Sequence, residues 1–387
     1  MTLRVAFNAT PLLAPLTGIG NYTIQLGAAL AGTGEVDPFS FYGFRWRHEV
    51  PTAASNARVP RSAPRLRDAV KPFVPFKREL RLLQQRTAFA RGLHRHAIAL
   101  YHEPNYVPIA YGVPVVITVH DLSWIRYPEM HPKDRIRWLT QRMPLALERA
   151  AAVLTDSEYV RRELLETFAL APGRVHTAHL GVSANFHPRS EAETLPTLSA
   201  LDLAHGRYLL TVGTIEPRKN VAHVLAAYAL LPRALRDEYP LVVAGAKGWG
   251  APDLQRQLRG LASSGSIRFL GHVSEEQLPS LYAGAAAFVF PSLYEGFGLP
   301  PLEAMASGVA VLVSDRASLP EIAGGAAIML DPEDPATTAA SIGSILDDSA
   351  ARDRYARLGR ERAAAFSWAA CAQTTLRVYR GVRGLRA

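Results

Sequence analysis

The sequence predicts an α/β fold made of two parallel, doubly wound sheets, and three observations predict it. Short apolar runs with the length and flanks of buried strands alternate with helical patterns along the chain. The runs at 5–7, 113–119, 151–155, 208–212 and 285–290 each lead through a loop to a helix, the order of a parallel sheet rather than a hairpin. The 387 residues are enough for two domains of ordinary size.

Composition narrows the class. Hydrophobic residues make up 48% and charged residues 20%, the balance of a soluble globular protein. The single cysteine, Cys371, excludes an intramolecular disulfide and fits a reducing compartment. The N-terminal residues run directly into a strand without a signal peptide's layout, and no apolar run reaches the length of a membrane span. The expected location is the cytoplasm.

In order, the first strand at 5–7 leads to Thr17-Gly18-Ile19-Gly20-Asn21-Tyr22, read as a glycine loop before a helix. A dinucleotide fingerprint would need a glycine where Thr23 stands, so Gly18 and Gly20 are read as points of close backbone approach to a ligand, or as a tight turn. Net charge is +9, and its placement is uneven: residues 1–190 hold 24 Lys+Arg against 14 Asp+Glu, whereas 191–387 hold 19 against 20. Much of the excess lies between Arg58 and Arg95, where Arg78, Arg81 and Arg86 are interleaved with Phe73, Phe76, Leu80, Leu82 and Leu83. Such a segment fits an anionic membrane surface or a solvated helix face. No nucleic-acid-binding motif accompanies it.

Tyr101-His102-Glu103 ends a short apolar run, and the strand at 113–119 delivers His120 and Asp121 to its carboxyl end. Ser157 after the next strand reads as a helix cap, with the helix from about Tyr159. A linker rich in acidic residues and proline is expected at 189–206. The second unit opens at 208–214 and its loop carries Arg218 and Lys219, adjacent cations that could stabilise a departing pyrophosphate. No D-x-D metal motif occurs in the chain, so no metal is expected. Gly271-His272-Val273-Ser274 precedes a helix opened by Ser274 with Gln277 at the capping-box position.

The stretch from Pro291 to Gly308 is the most informative. A strand ends at Pro291, a loop carries Glu295, Gly296, Phe297, Gly298 and Leu299, and Pro300-Pro301 opens a helix bearing Glu303. Backbone N–H groups and a helix N-terminus favour an anion, and carboxylates accept from vicinal hydroxyls. Phosphate and polyol together point to a nucleotide sugar.

Glu295-Gly296-Phe297-Gly298-Leu299-Pro300-Pro301-Leu302-Glu303 resembles the E-x7-E signature of the retaining family 4 glycosyltransferases of the GT-B fold, and the resemblance continues through Ser314, Pro320-Glu321 and Gly324-Gly325. It implies two Rossmann-like domains facing a cleft: an acceptor domain at 1–188, a donor domain at 207–366, and a C-terminal helix at 367–387 crossing back to the first. It implies that His120 contacts the transferred sugar, that His102, Glu103 and Asp121 lie on the acceptor side, and that backbone around Val273 reads the base. Glu295 would belong to the catalytic set with His120, Arg218 and Lys219, Glu303 would bind the donor with Gly296, Phe297, Gly298 and Leu299 of the loop, and transfer would proceed by front-face attack with retention. Much of the family has an arginine where this chain has Thr214, and Arg218 is assigned that role. The Gly18–Tyr22, Glu216–Asn220 and Gly296–Pro301 strings are similar to those of bacterial mannosyl- and rhamnosyltransferases of surface polysaccharide assembly. That similarity favours GDP-mannose as donor, without further cofactor, and a lipid-linked glycan as acceptor at the inner face of the membrane. A UDP-sugar donor, a sugar-nucleotide epimerase and an inactive nucleotide-sugar-binding protein are the alternatives.

Overall fold

The computed structural model describes residues 2–13, 18–52, 77–246, 248 and 266–384. Two sheets organise it. The first has the order β3-β2-β1-β4-β5-β6-β7 and the second β10-β9-β8-β11-β12-β13. In the first sheet, β1 (Leu3–Asn8), β2 (Val36–Tyr42), β4 (Leu100–Glu103), β5 (Val115–Val119), β6 (Ala152–Thr155) and β7 (Val175–Thr177) are parallel. Only β3 (Arg45–Arg47) runs antiparallel, on the outer edge beside β2. The second sheet comprises β8 (Leu209–Val212), β9 (Leu241–Ala244), β10 (Ile267–Gly271), β11 (Ala287–Phe290), β12 (Ala310–Ser314) and β13 (Ile328–Leu330), all parallel.

Strand order reverses between β1 and β4 in one sheet and between β8 and β11 in the other. A doubly wound sheet opens a crevice at such a reversal, beyond the carboxyl ends of the strands. The segments after β4 and β5 and those after β8 and β11 therefore converge. The strands earn their place by composition: β5 is Val-Val-Ile-Thr-Val and β11 is Ala-Phe-Val-Phe, and every residue of both is buried, as expected for strands covered on two faces. One apolar cluster continues from Val5, Phe7 and Tyr22 of the first unit, through Trp368, Leu376 and Tyr379, to Tyr208, Phe288 and Phe297 of the second.

The chain passes between the units twice, side by side. Val182 N–H donates to the carbonyl of Phe366 at 3.2 Å. A Cβ on Gly181 would sit 2.1 Å from the backbone nitrogen of Trp368, so only glycine lets the crossings meet. The last helix, Trp368–Val382, packs on the first helix, Gly18–Gly32.

Three local readings of the sequence are corrected. Gly18 and Gly20 lie in the first turn of the helix Gly18–Gly32 rather than in a loop ahead of it. The segment expected as linker contains the helix Glu191–Ala200, with Pro196 inside it. Its start is a full capping box, Ser190 Oγ accepting from Glu193 N–H while Glu193 reaches back to Ser190 N–H, and its buried Leu198 docks it on the second unit. Ser274 does accept from Gln277 N–H at 3.3 Å, but helix geometry begins only at Leu278. Of the basic segment, residues 58–76, with Phe73 and Phe76, lie outside the described residues. The rest forms the helix Lys77–Arg95.

Candidate active site

Glu295 lies on the loop after β11 and is 6% exposed. Both its oxygens are engaged. Lys219 Nζ stands 2.6 Å from Oε1, Arg218 donates to Oε2 at 3.0 Å, and Ser292 Oγ donates to Oε1 at 2.6 Å. Burial by itself would raise this carboxyl, but Lys219 and then Arg218 hold it below the ordinary carboxylate value. Arg218 is held further by Glu216 Oε1 at 2.8 Å and by the carbonyl of Tyr294 at 2.9 Å. Burial disfavours its charge, and Glu295 and Glu216 outweigh burial. The two cations are thus fixed in place by carboxylates before any ligand arrives. Glu295 orients them, and its oxygens are taken by protein groups rather than turned toward sugar hydroxyls.

Thr214, where the family arginine was missed, is exposed, while Arg218 reaches the loop from the 3-10 turn Pro217–Lys219. Lys219 Nζ also lies 5.1 Å from the centroid of the Phe290 ring at the end of β11.

Glu303 is on the helix Leu299–Ala306 and is 9% exposed. Burial pushes its carboxyl up to about 7, with the Tyr282 hydroxyl beside it. Gly298 carries φ 122°, a conformation glycine alone adopts with ease, and turns the loop into this helix. The Phe297 side chain does not face the cleft. It is 4% exposed and packs edge-on to Phe366 with centroids 5.7 Å apart, leaving only its backbone for a donor. Leu299 is half-buried, as is Val273 after β10.

The opposing wall comes from the first unit. A Cβ on Gly296 would lie 1.8 Å from the carbonyl oxygen of His120, so the donor loop touches the backbone after β5 directly. His120 and Asp121 are half-buried there. Asp121 Oδ1 accepts from Ser123 N–H at 3.1 Å and Ser123 Oγ at 2.8 Å. Burial would raise the Asp121 carboxyl, and Arg218 across the cleft, with Ser123, lowers it. Asp121 therefore stands on the wall of the first unit with Arg218 facing it.

His102 and Glu103 are not placed as acceptor contacts, a further correction. Both are fully buried in β4. His102 bridges Thr118 Oγ1 at 2.7 Å and the Tyr379 hydroxyl at 2.6 Å, and burial lowers its pKa to about 3. Glu103 accepts from Asn8 and from Asn105 N–H at 2.9 Å and bonds the Tyr101 hydroxyl, and burial lifts it to about 8. They tie strands and the C-terminal helix together beneath the site.

Other residues join the two walls. Ser157 caps the helix Glu158–Phe168, which begins one residue before the expected Tyr159, and its hydroxyl also donates to the Gly296 carbonyl at 2.7 Å. The Tyr294 hydroxyl donates to Glu163 and accepts from Leu122 N–H at 2.9 Å. Glu321 accepts from the N–H groups of Glu158 and Tyr159 at 2.9 Å each and pairs with His179 at 2.7 Å, capping a helix of the opposite unit. The sequence had offered Ser157 only as a cap and Glu321 only as part of a string.

Two family models match consecutive halves of the chain: "Glycosyltransferase Family 4" over residues 16–186 and "Glycosyl transferases group 1" over 203–362. The chain is 37% identical to O-antigen chain mannosyltransferase B of Escherichia coli over 380 residues, covering 98% of this chain and 100% of that protein. Among solved structures, sucrose-phosphate synthase from Thermosynechococcus elongatus superposes with a TM-score of 0.74 at 22% identity, over 99% of each chain. HepE from Anabaena, in complex with UDP-glucose, gives 0.73 at 16% identity over 99% of this chain and 100% of that one. These two carry the fold, a two-domain α/β arrangement, and the end-to-end relative carries the family: the chain belongs to the family 4 glycosyltransferases.

Proposed function

We propose that the protein transfers mannose from GDP-mannose to a lipid-linked glycan of a surface polysaccharide, with retention at the anomeric carbon. The observation that carries this reading is the identity of 37%, spread over the whole chain, to a relative named as an O-antigen chain mannosyltransferase. The geometry supports it. Arg218 and Lys219, held by Glu295 and Glu216, supply fixed positive charge where a diphosphate leaving group would gain negative charge as the glycosidic bond breaks. Charge placed beforehand costs no reorganisation at the moment of reaction, and it does what a metal ion otherwise would. The reading is therefore metal-independent, with no cofactor beyond the donor. Glu303, at the helix start beyond the loop, takes the ribose hydroxyls. The acceptor enters on the side of Asp121, and its proton passes to the departing phosphate oxygen on the same face. An epimerase needs no acceptor wall, and an inactive binder needs no fixed cations behind its carboxylate, so neither is favoured.

Turnover with a panel of GDP- and UDP-hexoses, with and without EDTA, tests the reading. GDP-mannose should be the productive donor and EDTA should leave the rate unchanged. A UDP-sugar used in preference, or a rate restored only by magnesium, overturns the donor or the metal-free part respectively.

The second part of the reading is a peripheral membrane position. The helix Lys77–Arg95 exposes Leu80 at 55% and Leu83 at 60% on either side of exposed Arg81, and Phe44 beside Arg81 is 45% exposed. Apolar and cationic groups in one patch match an anionic lipid surface.

A further inference from the structure

The ring of His120 has a protein partner on each nitrogen. Nε2 lies 2.8 Å from the carbonyl oxygen of Pro104, and Nδ1 lies 2.7 Å from Oδ2 of Asp156, just after β6. A carbonyl only accepts, so Nε2 carries a hydrogen. A carboxylate oxygen 2.7 Å from a ring nitrogen also needs a proton between them, because two lone pairs at that distance repel. A neutral imidazole has one hydrogen, and Pro104 already accounts for it. The pair therefore shares a second proton, as imidazolium with carboxylate or imidazole with carboxylic acid. We infer that Asp156 is a positioning residue for the transfer reaction, keeping that proton on the pair so that Nε2–H of His120 remains a donor, ready to exchange the Pro104 carbonyl for a hydroxyl of the transferred sugar. The sugar contact rests on the proposed function; the protonation does not.

The surroundings favour retaining the proton. Asp156 is 4% exposed, and a buried carboxylate needs a partner. The charged groups facing the ring are Asp156 and Asp121, both negative. Tyr22 of the first helix stands edge-on at 4.8 Å and Tyr106 at 6.2 Å, and burial keeps both phenols un-ionised. His102 in β4 is neutral, and Cys371 on the C-terminal helix has its thiol raised by burial. His179 adds a pull on Asp156 from the far side. Burial alone would lower the His120 pKa; Asp156 outweighs it and holds it above 6.5. The extra proton is thus present at low pH and lost as pH rises through the raised value. Once it is lost, Asp156 takes the remaining hydrogen on Nδ1, and Nε2 turns from donor to acceptor.

Asp156→Asn separates this from a packing role. An amide N–H can donate to Nδ1, which leaves the single ring hydrogen on Nε2 once the imidazole is neutral. Nitrogen chemical shifts of ¹⁵N-histidine-labelled protein, with His120 assigned by its loss in His120→Gln, read the protonation without substrate. Wild type should show Nε2 protonated at the acid end of the titration and unprotonated at the alkaline end, and Asp156→Asn should show Nε2 protonated at both. In turnover, kcat/KM of wild type should fall about tenfold per pH unit on its alkaline limb, and Asp156→Asn should lose that limb while keeping activity at higher pH. A wild-type Nε2 without its hydrogen at the acid end, or an unchanged alkaline limb in Asp156→Asn, overturns the assignment. Correct shifts with no mannose transfer would leave the shared proton standing and sink the function reading instead.

Discussion

In the proposed function Glu303 and the Arg218–Lys219 pair divide the donor between them, and each makes a different kinetic prediction. Glu303→Ala should weaken donor binding, since charge-assisted hydrogen bonds to hydroxyls contribute about 1.5–3 kcal/mol each. The loss belongs in donor KM or Kd, and unchanged donor affinity in a folded variant would remove Glu303 from the ribose. The same residue gives a pH prediction. Its carboxyl titrates near 7, raised by burial, and it accepts two hydroxyls best as the carboxylate. Donor affinity should therefore improve as pH rises through about 7 and be poorer below it, an effect absent in Glu303→Gln. Lys219→Ala should act on kcat instead, by about 10²–10³, because leaving-group charge peaks in the transition state. Equal losses in donor Kd would mean the lysine binds ground state and transition state alike. Glu295, Glu303, Arg218 and Lys219 were legible because the residues sit in two short strings whose chemistry is visible without partners. Asp156, Glu163 and Glu321 were not, since their meaning comes from groups 36, 131 and 163 positions away. His102 and Glu103 misled for a related reason: polar residues at a strand's carboxyl end point to a site, yet here each finds enough buried partners to be structural.

At the scale of elements, the loop after β11 is docked on the first unit at three points: Gly296 on His120, Ser157 on Gly296, and Tyr294 between Leu122 and Glu163. Tyr294 is the separable one. Tyr294→Phe keeps the ring and strands the Leu122 N–H and one oxygen of Glu163, whose other oxygen keeps Arg126, a cost of about 1–3 kcal/mol when such groups stay buried. Amide exchange at Leu122 should accelerate by about 10–100-fold, the same range converted at 1.4 kcal/mol per decade. Unchanged protection would mean that Tyr294 does not hold the walls together. None of this seam could be read from sequence, because a tyrosine on the loop after β11 gives no sign of partners 131 and 172 positions away. The linker helix was legible in part. Ser190 and Glu193 spell a capping box, but Pro196 and the acidic run argued for coil. The burial of Leu198 on the second unit decided the matter, and burial is a tertiary fact. Gly18 and Gly20 show the converse, where two glycines suggested a loop and the packing of Tyr22, Leu26 and Leu30 extended the helix back over them.

Across the whole molecule, the central strands were readable because a strand buried on both faces must be nearly all apolar, and β5, β8, β9, β11 and β12 carry at most one hydroxyl residue each. The short edges β3, β7 and β13 escaped notice at three residues each, too brief to show a period. Charge placement, however, survives folding unchanged as a property of the halves. The excess of Lys and Arg lies in residues 1–190, and the helix Lys77–Arg95 presents part of it beside exposed leucines. Arg86 is unsuited to a test because it donates to the Ile109 carbonyl at 3.1 Å and reversing it would disturb the fold. Leu80, Arg81 and Leu83 are exposed and can be changed with little expected loss of stability. The triple variant Leu80→Ser, Arg81→Glu, Leu83→Ser should stay in the supernatant with liposomes rich in phosphatidylserine, where wild type sediments. Each basic group near such a surface contributes about 1 kcal/mol, and each buried leucine adds the larger apolar share. Raising salt should weaken wild-type binding by screening the arginine part and leave the apolar part. Donor binding through Arg218, Lys219 and Glu303, which lie in the other half, should be untouched. Sedimentation of the triple variant equal to wild type would show that this helix face does not meet the membrane.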